Sequence, residues 1–299
     1  MANKNGSVYK RRWGDRRDGR MVKAPGLQTI MSGILPNRTD CEVHLHDTFD
    51  CTELLAYIEE KNAQHPDYKT TIFHCIITAL ARMVVERPKM NYFIQACRMY
   101  ERNEISISFV AKRRFTDGGE EALMVLKPKM TDTVDDVSRF IVGDVTQMRK
   151  SEHSTGGIDA VIDNIAKMPR LMLMAFLQIV RWLDYWGLNP DILTDGDPNY
   201  TTILCSNLGS IKCPAVYHHL NNYGTNSIMV TIGAYHQETV LMPDGSCRQR
   251  TMIDIGATLD ERIADGFYFA RSLKLLKYIM ANPSLLDRPI GESSGFDYN

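Results

Sequence analysis

Histidines, cysteines and adjacent acids are the residues of this chain that could do chemistry, and their spacing excludes more than it supports. Seven cysteines (41, 51, 75, 97, 205, 213 and 247) form no C-x-x-C pair. Their odd number fits neither a disulfide framework nor a zinc site of familiar spacing, so no metal is expected. His218 and His219 are adjacent. Neighbouring side chains on a strand or helix point different ways, so the pair reads as a loop clasp or as two unrelated surface groups. His74 lies inside an apolar run and reads as a satisfied core histidine. Asp260 and Glu261 stand where a long helix should open, a place its macrodipole favours for carboxylates without any catalysis. Neither G-x-x-x-x-G-K-[ST] nor a strand-coupled G-x-G-x-x-G is present, which removes nucleotide chemistry of those kinds. The G-x-S-x-G elbow of serine hydrolases and the H-E-x-x-H of zinc hydrolases are missing too.

The elements that must position these groups follow from periodicity. Val43 to Phe49 reads as a strand, and Asp50 with Glu53 as a capping box for a helix through Lys61. Thr71 to Glu86 is apolar nearly all round, as a core helix is, and Pro88 stops it. Glu104 to Lys112 alternates Ile105, Ile107 and Phe109 with Ser106 and Ser108, and Ala122 to Lys127 follows a turn at 116–119. This predicts a hairpin with one face solvated or lining a cleft. Asp132 or Thr133 caps a helix to about Lys150, and Ser151 to Gly157 is a loop. A helical region then runs from Ile158, broken near Pro169, to Trp186, ended by Gly187 and Pro190. Its second half, Leu171 to Trp186, is rich in Met and Trp. Three uses compete for it: packing in a core or subunit interface, a wall of an apolar substrate tunnel, and contact with a membrane surface through Lys167, Arg170 and Arg181. Strands at Tyr200–Ser206, Ser227–Gly233, Glu238–Met242 and Arg248–Leu259, with a turn at Pro243-Asp244-Gly245, precede a last helix at about Arg262–Met280.

The 299 residues carry a formal net charge of -1 and are 44% hydrophobic, as in an ordinary globular protein. No apolar run reaches the ~18 residues of a membrane span, and the polar N-terminus argues against a signal peptide, leaving the cytoplasm as default compartment. Eight Lys/Arg against two Asp in Met1 to Lys23 give a local excess of +6 on an otherwise acidic chain. A basic arm that stops at Lys23 argues for a strap on a neighbouring subunit or a loose segment rather than for nucleic-acid binding.

Three ordered blocks carry a resemblance. They are Ser206-Asn207-Leu208-Gly209, Asn226 to Ala234, and Leu259-Asp260-Glu261-Arg262-Ile263-Ala264-Asp265-Gly266. Together with Phe49-Asp-Cys-Thr-Glu-Leu-Leu55 and Arg87-Pro88-Lys-Met-Asn91 upstream, they resemble the catalytic domain of the dihydrolipoyl acyltransferases of 2-oxo acid dehydrogenase complexes. Chloramphenicol acetyltransferase shares that superfamily. The resemblance covers about Cys41 to Leu286. It implies an α/β fold, a two-layer sandwich of a mixed sheet with helices on one face, and a homotrimer with active-site channels at subunit interfaces. It divides the chain into a basic arm (1–40), a catalytic domain (41–286) with a helical insertion at about 151–199, and a C-terminal tail (287–299).

The implied activity is acyl transfer from coenzyme A or acyl-coenzyme A to a small-molecule acceptor. The family's H-x-x-x-D-G motif supplies a histidine base, and here that position is Glu261. The resemblance makes Ser206 the oxyanion donor and Asp265 a structural aspartate that pairs with an arginine near the N-terminal end, for which Arg38 is the candidate. Asn207, Gly209 and Gly266 complete the substrate side. A thiol near pKa 8.5 and a carboxyl near 4.3 leave proton transfer uphill by roughly 5.7 kcal/mol. Burial in an apolar channel can lift a carboxyl to about 8 or 9 and remove that cost, which Glu261 would need in order to serve as base. The competing expectation is a catalytically silent trimeric scaffold or ligand-binding protein on the same fold, a pseudoenzyme.

Overall fold

The computed structural model describes residues 14–64, 68–112, 121–150, 165 and 167–298. The arm before residue 14, the turn at 116–119, the loop at 151–157 and the start of the following helical region lie outside the described residues.

Six strands form the main sheet: β2 (Glu42–Asp50), β5 (Ile107–Lys112), β6 (Glu121–Leu126), β7 (Ile203–Asn207), β8 (Ile228–Leu241) and β9 (Cys247–Asp260). Their order is β2-β9-β8-β7-β5-β6. The sheet is mixed, since β7 runs parallel to both β5 and β8 while the other pairs are antiparallel. A second, antiparallel sheet joins β1 (Gly19–Val22), β4 (Arg98–Arg102) and β3 (Tyr92–Gln95) in the order β1-β4-β3. Four helices pack on the main sheet: α2 (Thr52–Gln64), α3 (Ile72–Glu86), α4 (Val134–Lys150) and α7 (Gly266–Ala281). Outside that layer lie α1 (Gly26–Ile34), α5 (Arg170–Trp186) and the single turn α6 (Asp191–Thr194).

Period-two alternation separates the two sides of the sheet. Phe49, Cys205, Ile228, Val230, Ile232, Ile253, Ile255 and Leu259 point into one core with α3 and α7. Ile76, Ile77 and Leu80 of α3 are fully covered there. His44, His46 and Thr48 of β2, Asp254, Gly256 and Thr258 of β9, Thr231 of β8 and Ser206 of β7 occupy the opposite phase. They lie on the face the helices do not cover, where Thr231, Gly256 and Thr258 are buried by other parts of the chain.

The α3 terminus explains His74. Thr71 caps the helix, its hydroxyl accepting from the His74 amide, while the Thr71 amide donates to Nδ1 of the His74 ring at 3.3 Å. A ring accepting at Nδ1 and buried to 5% exposure is neutral, and burial pushes its pKa down to about 4. The unfolded chain binds this proton near pH 6.5 and the folded chain only near 4, so stability falls as pH drops through that window and is intact above it. The expected loss is roughly 2–3 kcal/mol. Urea melts at pH 7 and pH 4 should show this slope, and His74→Gln should flatten it.

Several expectations need correction. Ser106 and Ser108 do not face solvent: β5 is an interior strand, and the two hydroxyls meet the Thr202 amide (3.2 Å) and Thr201 Oγ1 (2.8 Å). The two strands expected at 227–233 and 238–242 are one strand, β8, with a register shift between Ile232 and Tyr235. Residues 14–22 are no loose strap, since β1 pairs with β4, and Arg16, 7% exposed, donates to the Asp184 carbonyl at 2.7 Å. Residues 288–294 pack rather than trail. Arg82 of α3 donates to the carbonyls of Arg288, Pro289 and Glu292, and Ile290 is buried.

Helix α5 is held by a narrow stripe. Asp184 accepts from Tyr200 Oη (2.7 Å) and Gln95 Nε2 (2.8 Å), and Val180 is buried beside it. Leu173, Phe176 and Leu183 are half-buried, and most other positions are open: Leu171 is 83%, Trp182 58% and Trp186 55% exposed. Among the described residues no helix is long and apolar enough to cross a membrane.

Candidate functional site

Ser206 sits on β7, half-buried, in register with Thr231 on β8, which stands opposite Gly256 on β9 and through it His46 on β2. These four residues form one row on the face away from the helices, with Thr231 and Gly256 buried in its middle. Asn207 ends the strand and turns the chain, its side chain accepting from the Ser210 amide at 3.3 Å. Gly209 is required by space, because a Cβ there would lie 2.5 Å from the Gly233 carbonyl oxygen. Both residues explain local structure directly. The Gly266 Cα has open space around it.

Glu261 is exposed and follows the last residue of β9, its amide donating to the Cys41 carbonyl at 2.9 Å. The helix expected from Arg262 begins at Gly266, because Arg262 is drawn out of helical geometry toward the carboxylate of Asp260. Glu261 therefore lies in a turn before the helix rather than in its first turn. From Gly256 to Glu261 is five residues of nearly extended chain, roughly 17 Å, and Ser206 lies two strand spacings of about 4.8 Å to the side. Ideal strand geometry thus separates the Ser206 and Glu261 backbones of one chain by about 19 Å.

Asp265 caps α7, accepting from the Tyr268 amide at 2.8 Å, and is exposed. The buried ion pair assigned to it belongs instead to Asp260. Arg262 grips Asp260 with two parallel bonds, Nε to Oδ1 at 2.8 Å and a terminal nitrogen to Oδ2 at 2.6 Å. Arg38 approaches the same carboxylate at 3.9 Å. Arg38 thus approaches Asp260 and not Asp265. All three side chains are fully buried, and the arginines also hold the carbonyls of Leu35, Pro36, Ile94 and Asn221.

A second group of chemistry-bearing residues lies on the uncovered face. The segment 213–220 crosses the sheet over Gly233 and Gly256, where a Cβ would meet Ala215 N at 2.6 Å and the Val216 carbonyl at 2.9 Å. Thr231 Oγ1 donates to that Val216 carbonyl. The crossing lays Tyr217 against His44 and His46, with ring centroids 5.0 and 6.3 Å apart. His44 Nδ1 is 3.1 Å from Thr258 Oγ1. His218 and His219 follow, with ring centroids 4.8 Å apart. Sequence spacing flagged only the adjacent pair. The involvement of His44, His46 and Tyr217 depends on an irregular segment that leaves no periodic signal. Among the described residues no group of three or more His, Cys, Asp or Glu side chains is arranged to hold a metal ion.

No protein-family profile and no curated protein sequence matches the chain. Solved structures do. A probable dihydrolipoamide acetyltransferase from Listeria monocytogenes 4b F2365 superposes with a TM-score of 0.57 at 14% identity, over 94% of this chain and 98% of that one. The dihydrolipoamide acetyltransferase of Azotobacter vinelandii gives 0.59 at 15% identity, over 89% and 94%. The cubic core of a pyruvate dehydrogenase multienzyme complex gives 0.53 at 16%, over 95% of each chain. The chain has the fold of these acetyltransferase cores.

Proposed function

We propose that the chain is a coenzyme-A-dependent acyltransferase with an altered proton-transfer group, acting as a homotrimer on a small-molecule acceptor. The observation that carries this reading is the fold likeness over nearly the whole chain; within this chain Ser206 lies near the end of β7 and Asp265-Gly266 at the start of α7. The ~19 Å between Ser206 and Glu261 supports an assembly in which one copy supplies Ser206 and its neighbour the Glu261 turn. Ser206 would donate to the oxyanion of the tetrahedral intermediate. Asp260 with Arg38 and Arg262 fixes the turn, and Asp265 starts the helix behind it. Glu261 is exposed within its own chain, so the burial it needs as a base must come from a neighbour or be replaced by another group.

Calorimetric titration with coenzyme A and with acetyl-coenzyme A tests the reading without a guess about the acceptor. One saturable site per chain is expected, alongside a trimer mass in sedimentation equilibrium. Absence of heat up to millimolar ligand would sink it. The exposed Glu261 and the open apolar side of α5 favour one second reading, a silent trimeric binding protein, and that result would select it.

A further inference from the structure

Position 261 offers only an exposed carboxylate for taking a proton from a thiol, yet two imidazoles stand at the same end of the sheet. We propose that the His218–His219 pair supplies the base, one imidazole Nε2 receiving the proton of the acyl-accepting thiol. This deepens the acyltransferase reading and rests on it.

Two observations carry the assignment. The first is the tautomer. His218 Nδ1 lies 2.9 Å from the His219 carbonyl oxygen, and His219 Nδ1 lies 3.0 Å from the Leu220 carbonyl oxygen. A carbonyl only accepts, so each Nδ1 carries a hydrogen, and in the neutral ring it is then Nε2 that holds the lone pair. Both rings are thereby oriented as bases by their own backbone. The second is the place. The Leu220 amide donates to Glu42 Oε1 at 2.6 Å, and Glu42 stands opposite Asp260 in the β2–β9 register. The chain next to Glu42 accepts, at Cys41, the amide of Glu261. The histidine segment is thus pinned to the strand end from which Glu261 emerges. His218 and His219 are both exposed, so the pair is open to a ligand.

An ordinary imidazole lies about two units below an ordinary thiol and a carboxylate about four, so the imidazole removes roughly a hundredfold of the proton-transfer penalty. In the step, the S–H proton passes to Nε2 as the sulfur bonds to the acyl carbonyl carbon. The oxyanion then collapses, the donor C–S bond breaks, and the departing coenzyme A sulfur takes the proton back from Nε2. Nothing is oxidised or reduced.

The test uses the full chain, with acetyl-coenzyme A as donor and dihydrolipoamide as acceptor. The double variant His218→Gln, His219→Gln should lose at least a hundredfold in kcat while keeping its coenzyme A heat. The corresponding double alanine variant should recover turnover on addition of free imidazole, which a merely structural role would not allow. Wild-type turnover in the double variant overturns the proposal. Nitrogen-15 ring signals of the wild-type protein give a readout that needs no variant. The Nε2 signals of the pair should respond to coenzyme A and not to desulfo-coenzyme A. Coenzyme A heat without that response overturns the histidine assignment and leaves the acyltransferase reading standing. Absence of heat overturns both.

Discussion

Asp260→Ala should destabilise the protein by about 3–5 kcal/mol, the cost of leaving buried charge without its partner. The carboxylate has no exposed surface and faces two guanidinium groups that are 2% and 3% exposed. Its removal leaves both charged in a buried site. Three parts of the chain lose their staple together: the Leu35–Pro36 carbonyls held by Arg262, the Ile94 carbonyl at the β3–β4 hairpin held by Arg38, and the Asn221 carbonyl beyond the histidine segment. Asp265→Ala provides the contrast. It removes one helix cap on the surface, worth about 1 kcal/mol. Guanidinium unfolding of both variants should separate them clearly, and equal losses would return the structural role to Asp265. An Asp260→Ala, Arg262→Leu double variant should be less destabilised than the aspartate variant alone, since one stranded charge is gone.

The contrast marks where the sequence was legible and where it was not. Several elements were readable: α3 from its all-round apolar run and Pro88, the β5 strand from its alternation, β2 and β9 as strands, and the β8–β9 turn from Pro243-Asp244-Gly245. Elements whose residues are claimed by distant partners were not. Gly19-Arg-Met-Val22 reads as part of a basic arm until β4 gives it a pairing partner. Arg262 looks like the first residue of a helix until a buried carboxylate two positions earlier binds its side chain. Ser106 and Ser108 look like a wet face until Thr201 and Thr202 satisfy them.

The candidate site divides in the same way. The blocks around Ser206 and Gly266 carry a recognisable order, so their positions in the fold could be anticipated. Which aspartate pairs with Arg38 could not, because Asp260 and Asp265 stand in the same block and only burial distinguishes them. The histidine pair was visible as two letters, but its meaning lies in two backbone carbonyls of an irregular segment. Glycines prepare that path. Gly233 and Gly256 are positions where any side chain would strike the crossing backbone, a constraint between strands and loop far apart in sequence.

Ser206→Ala should lower turnover at least a hundredfold, about 2.7–4 kcal/mol of transition-state stabilisation, with the fold unchanged. The hydroxyl stands half-buried on the uncovered face, in register with Thr231 and not in the core behind it. Its removal leaves no cavity of consequence, so a melting temperature close to wild type is expected. A donor used only when negative charge develops on the carbonyl oxygen should act on kcat and leave the affinity for acetyl-coenzyme A nearly untouched. Thr231→Val is the internal comparison. It deletes a hydroxyl one strand away that is already committed to the Val216 carbonyl, and so it should loosen the 213–220 segment and cost stability. Acetyl transfer rates and thermal melts on the two variants should therefore move in opposite columns: rate for Ser206, stability for Thr231. A Ser206→Ala protein with full turnover would remove the serine from the chemistry.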